Sequence, residues 1–112
     1  MSNISLDQRI RKIPVDLNEE IQVQSEGVVS KILVDTQPGT ITVFAFDQNQ
    51  GLSEHSAPFD AFVHLLKGQL EITIGGNPVL LNPGQSLIIP ANIPHALRAI
   101  KSSKMMLVMI RA

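Results

Sequence analysis

The 112-residue chain predicts an all-β sandwich or barrel, and three observations carry that prediction. From Val28 onward the apolar residues come in short runs, several of them alternating with polar ones. Gly, Pro and Asn separate those runs at close intervals. No stretch after Pro14 repeats with a helical period. Many short strands divided by turn residues are the pattern of sandwiches and barrels.

Taken in order, the elements are as follows. Ser5 and Gln8 have the spacing of a capping box, and Leu6, Ile10 and Ile13 follow a helical spacing until Pro14 stops it. A short helix, or an arm packed on another subunit, is expected there. "VDLNEEIQVQSEG" has no persistent period and reads as irregular. "VVSKILVDT" is the first strand, broken by "QPG". In "TITVFAFD", Ile41, Val43 and Ala45 alternate with Thr40, Thr42 and Phe44. "DAFVHLLK" is expected to end at Gly68, and "QLEITI" follows with Leu70, Ile72 and Ile74 on one face. Gly75-Gly76-Asn77 reads as a hairpin turn, because glycines accept the positive φ such turns need. "PVLL", a turn at "NPGQ", "SLIIP", "HALRAIK", a turn at "SSK" and "MMLVMIR" complete the series. Residues 1–27 are accordingly expected to form an arm, with a possible role at a dimer contact or over an edge strand, and residues 28–112 a single barrel domain.

Composition narrows the function classes. Hydrophobic residues make up 44% of the chain, enough for one globular core. The net charge is −1 and the nine Lys and Arg are scattered, which argues against nucleic acid and anionic membranes as partners. Four Phe with neither Trp nor Tyr make base-stacking platforms a poor expectation. The run "MMLVMI" is too short to span a bilayer, and "MSNISLDQRIRK" lacks the apolar core of a secretory signal, so a cytoplasmic location is expected. Without Cys, thiolate ligands and thiol nucleophiles are excluded, leaving three His and ten carboxylates as the chemical groups of interest.

Two segments carry a resemblance. The first runs from Gly51 through His55, Asp60 and His64 to Gly68, and the second holds Pro83-Gly84, Pro90, Asn92, Pro94 and His95. Together they resemble the two motifs of the cupin superfamily, usually written G(X)5HXH(X)3-4E(X)6G and G(X)5PXG(X)2H(X)3N. Gly84, Pro90 and His95 match the second motif, and His55 matches the first histidine of the first. Ala57 stands where the second histidine would be, Ala61 at the glutamate, Asn92 at the later glycine and Ala99 at the final asparagine.

The resemblance implies an antiparallel jelly roll, or double-stranded β-helix barrel, over about Val28 to Arg111. It also implies a barrel pocket around His55 and His95 that binds one divalent metal (Fe, Mn, Ni or Zn) and a small acid or sugar-like ligand, as in metal-dependent oxygenases and isomerases. The candidate metal ligands are His55, His95 and, adjacent to the glutamate position, Asp60. Strand alternation turns Asp60 away from the face that Ala61 lines, unless a bulge after Pro58 re-aims it. The alternative is a metal-free binding or sensing domain in which the ligand set has been lost. Phe62, His64 and Leu66 form an outward stripe that either a homodimer partner or the N-terminal segment would cover. The Met105, Met106 and Met109 group reads as core packing, with a flexible pocket wall as its alternative.

Overall fold

The computed structural model describes residues 12–111, so the helix expected from the Ser5 capping box lies almost wholly outside the described residues. Among the described residues, one helix, α1 (Leu17–Glu20), precedes seven strands: β1 (Val28–Thr36), β2 (Gly39–Phe46), β3 (Gly51–His55), β4 (Asp60–Ile74), β5 (Asn77–Leu81), β6 (Ser86–Ile89) and β7 (His95–Ile110). All pairings among them are antiparallel. The path β1-β2-β7-β4-β5 is open at both ends, with β3 added on β7 and β6 on β4. The all-β antiparallel expectation holds, and the sheet does not close on itself. Among the described residues no helix is long and apolar enough to cross a membrane.

The two longest strands organise the molecule. β4 pairs with β6 through Ala61 to His64 and with β5 through Leu70 to Ile74. β7 pairs with β3 near His95 and with β2 from Ser103 to Ile110. Each long strand therefore serves two ends of the fold, and each bends where their mutual register slips, between Leu65 and Leu70.

Gly68 sits at that bend with φ +91°, and a Cβ there would lie 2.3 Å from both the Ser102 carbonyl oxygen and Ser103 Oγ. Only glycine combines that backbone with that approach. The fully buried Ser103 hydroxyl accepts from Gln69 N–H at 3.0 Å and donates to the Lys101 carbonyl at 2.7 Å, which satisfies backbone that the slipped ladder leaves over. This corrects two expected breaks. Neither Gly68 nor "SSK" ends a strand, because pairing resumes on both sides of the bulge.

A third correction concerns the stretch read as irregular. Asp16 caps α1, its side chain accepting from Asn18 N–H, and Glu19 and Glu20 occupy the first turn. Lys31 and Lys104 donate their ammonium groups to the Glu20 and Asn18 carbonyls, orphan acceptors at the end of the helix. One turn is too short to show a period, so the sequence hid it.

Two apolar layers result. Phe46, Val63, Leu65, Leu70, Ile72 and Met105 belong to the interior between the sheet faces. On the outer face of β1 and β2, Leu33, Val43 and Ala45 pack beneath Ile21, which is 0% exposed, with Leu17 and Met106 beside them. In β2, Val43 and Ala45 are thus buried under residues 17–23, and Phe46 is buried on the interior side.

Candidate functional site

His55 ends β3 and His95 begins β7, and the two are direct partners in the antiparallel register. Their rings meet edge to face with centroids 4.4 Å apart. His95 is 7% exposed, whereas His55 sits at the rim. The loop leading into His95 is fixed by Asn92, whose φ of +67° lies in the left-handed region that Asn tolerates. The Asn92 N–H donates to the Ala57 carbonyl at 2.7 Å, tying this loop to the one after His55. Asn92 therefore does the conformational work that the family motif gives to glycine.

Both imidazoles are oriented from behind. His55 Nδ1 lies 2.7 Å from the Ser53 carbonyl oxygen, and His95 Nδ1 lies 2.9 Å from that of Ile93. A carbonyl oxygen only accepts, so each Nδ1 carries the hydrogen. In the neutral ring that assigns the lone pair to Nε2 in both residues.

The two rings line one cavity with apolar walls. Ala61 and Val63 of β4 and Ile89 of β6 contribute to it, with Leu52 of β3 and Phe59 of the loop that follows. From β7 come Leu97, Met105, Leu107 and Met109, all on one strand face by period-2 alternation. The space open to the centres of water-sized spheres is about 40 Å³. At about 10–15 Å³ per water, that is room for roughly three. Of the methionines, Met105 and Met109 are both packing residues and pocket wall, while Met106 faces the outer layer.

The remaining residues singled out in the sequence lie elsewhere. Ala57 and Ala61 line the cavity with methyl groups. Asp60 is exposed and its Oδ1 accepts from Ala91 N–H at 2.9 Å, so its carboxylate holds the loop after β6. His64 is on the outer face, where its Nδ1 lies 2.6 Å from Ser86 Oγ. Phe62, beside it, is 36% exposed, and the described N-terminal residues pack mainly over β1 and β2, with α1 also reaching β4.

Among the described residues, no group of three or more His, Cys, Asp or Glu is gathered to hold a metal ion. Catalytic mononuclear sites generally use three protein ligands. Two imidazoles among methyl groups are one ligand short, so the donor set does not fit a resident ion held by this chain alone.

Sequence reasoning missed Asp47. Its carboxylate accepts from Glu26 N–H at 2.7 Å, Gln48 N–H at 2.9 Å and Ser102 Oγ–H at 3.2 Å. The backbone hydrogen bonds from Glu26 and Gln48 hold its pKa below the ordinary carboxylate value, with Ser102 adding to the effect. The signal available was the turn-forming "DQN" after a strand, which says nothing of partners twenty-one and fifty-five residues away.

Comparison with known proteins agrees with this architecture. A family described as "Cupin domain" matches residues 42–111. A conserved protein of unknown function from Streptococcus pyogenes is 37% identical with a TM-score of 0.87, the match covering 91% of this chain and 90% of that one. A cupin 2 conserved barrel domain protein from Leptotrichia buccalis is 34% identical (TM-score 0.84), over 87% of this chain but 47% of its own length. A cupin superfamily protein from Desulfitobacterium hafniense, 24% identical with a TM-score of 0.86 over 91% and 94% of the two chains, shares the fold. No curated protein matches.

Proposed function

The chain belongs to the cupin domain family, and from that premise we propose that it is a small-molecule-binding protein whose ligand is held by His55 and His95 in an apolar cavity, without a resident metal ion. One observation carries this reading: both Nδ1–H groups are committed to backbone carbonyls, which leaves two Nε2 lone pairs as the polar handles among the cavity-lining side chains. A concave apolar site with few fixed polar groups is the usual form of a small-molecule pocket. The test is a fragment screen followed by two-dimensional amide NMR. Binders are expected to shift the amides of Leu52, His55, Ala61 and Leu97, and to lose those shifts in the His55→Ala/His95→Ala variant. A screen whose binders all leave these amides unmoved refutes the reading.

The same anchoring favours a second reading. Metal-bound imidazoles nearly always donate their other ring N–H to a carbonyl or carboxylate, as both do here. An ion brought in as its complex with a chelating ligand would find two nitrogens ready and its other positions filled by that ligand. Elemental analysis separates the two. Under the first reading, protein incubated with divalent Fe, Mn, Ni or Zn and desalted retains none; under the second, it retains metal only when a chelating ligand is present.

The expected homodimer belongs to the outer face. Ile88, Phe62, Val108, Ile41 and Val34 are successive cross-strand partners over five strands. Ile88 is 60% exposed, and Ile110, near this row, is 53% exposed. Exposed apolar area of this continuity supports a covering partner, and a second copy would bring the same row. Sedimentation is expected to show a dimer that Phe62→Lys converts to monomer.

A further inference from the structure

The chemical complement of the cavity specifies the kind of ligand, an inference that rests on the pocket reading above. Among the described residues, ten of the twelve side chains lining it are apolar, and the other two are His55 and His95. No Lys, Arg, Asp or Glu is among these twelve. Ser, Thr, Asn and Gln are absent from them as well. The Arg111 guanidinium stacks 5.4 Å from the Phe59 ring centroid and donates to the Thr36 and Gln37 carbonyls, so it is engaged outside the cavity wall.

Three consequences follow from matching a ligand to such walls. An ammonium ion would be desolvated with no opposite charge to meet it, and a carboxylate would meet one only if an imidazole took up a proton and lost its acceptor. Hydroxyls beyond the two that the Nε2 atoms can accept from, as on a sugar, would be buried without partners, each weakening binding by about tenfold. The Nε2 atoms accept but do not donate in the assigned tautomer, so the polar end of the ligand has to be a donor. The volume, with two adaptable thioethers in the wall, suits a body of only a few heavy atoms that extends toward the rim where His55 is exposed.

We propose that the cavity takes small neutral apolar molecules bearing one or two hydroxyl donors, of the alcohol or enol class, with those hydroxyls on the His55–His95 pair, and that it disfavours sugars and small carboxylic acids. The ligand class implied by the family resemblance is thereby replaced by one read from the walls.

Four probes on one carbon skeleton test this: 2-butanol, butanone, butane-1,2,3-triol and butyrate, titrated into the full chain and followed by amide and imidazole NMR shifts, which read millimolar affinities. The expected result is that 2-butanol binds tightest. Butanone, which keeps the skeleton and loses the donor, binds about tenfold more weakly, as does 2-butanol to the His95→Ala variant. The triol and butyrate bind more weakly still. If butyrate or the triol matches or exceeds 2-butanol at the same amides, the ligand class is overturned while the pocket stands. Equal binding of butanone and 2-butanol overturns the donor assignment. If none of the four shifts a cavity amide and a broader fragment screen also fails, the pocket reading falls and the class inference with it. The amide spectrum separates loss of contact from misfolding, because a folded His95→Ala variant keeps its other amide dispersion.

Discussion

Replacing Gly68 by Ala probes the bend that lets β4 and β7 serve both ends of the fold. The added methyl meets backbone on the facing strand, 2.3 Å from the Ser102 oxygen and 2.7 Å from Ser103 Cα, so no side-chain rotation relieves it. A left-handed backbone costs a non-glycine residue about 1–2 kcal/mol. Opening the contact also disrupts the Ser103 hydroxyl, which holds Gln69 N–H and the Lys101 carbonyl, at about 1 kcal/mol for each hydrogen bond. The sum is about 3–4 kcal/mol, a large part of the roughly 5–15 kcal/mol that stabilises a domain. In a chain of this size that corresponds to a fall in Tm of roughly 12–30 °C. Gly76→Ala is the control, since Gly76 also has positive φ (+84°) but nothing within 4 Å of its virtual Cβ. It should lose only the backbone term, about 1–2 kcal/mol. Urea denaturation of both variants beside the parent measures the difference. Equal losses at the two positions would refute the argument that close approach, rather than backbone conformation alone, requires glycine at the bend.

Three further outcomes follow from the structure. Ile21→Ala should cost about 2–5 kcal/mol in urea denaturation, because Ile21 is fully buried over Leu33 and Val43; a loss below 1 kcal/mol would show that residues 17–23 are not part of the cooperative unit. Asp47 has a folded pKa below its unfolded value, so its stabilisation is complete above about pH 4 and is lost as pH falls through the folded pKa; Asp47→Asn should flatten stability between about pH 5 and 2, and an unchanged acid limb would contradict its role. Ala57→His with Ala61→Glu should convert the pocket to one that retains near-stoichiometric zinc after desalting, since both positions line the cavity beside His55 and His95; metal retention no higher than the parent's would show that the pocket cannot gather four ligands.

The strands with clear ends were legible. β1, β2, β5 and β6 fall within a residue of their expected bounds, because Pro, Gly and Asn punctuate real turns there. β4 and β7 were each read as two strands, since glycine and serine signal a bend equally well whether a chain turns back or merely bulges. Only the partner strand decides, and pairing between β4 and β7 is a long-range fact. In the site, motif spacing brought out His55 and His95, and strand parity set Asp60 apart from the Ala61 face. What the sequence could not convey was the tautomer of each imidazole. That depends on the Ser53 and Ile93 carbonyls, which are backbone groups every residue type possesses.

The most direct measurement is the long-range proton–nitrogen NMR spectrum of the histidine side chains at neutral to mildly basic pH. His55 and His95 are both expected to show the Nδ1–H tautomer, with Nε2 unprotonated, and both Nε2 resonances are expected to move when 2-butanol is added. Nε2–H tautomers at these two residues would contradict this expectation, because the pocket would then present donors where two lone pairs are claimed.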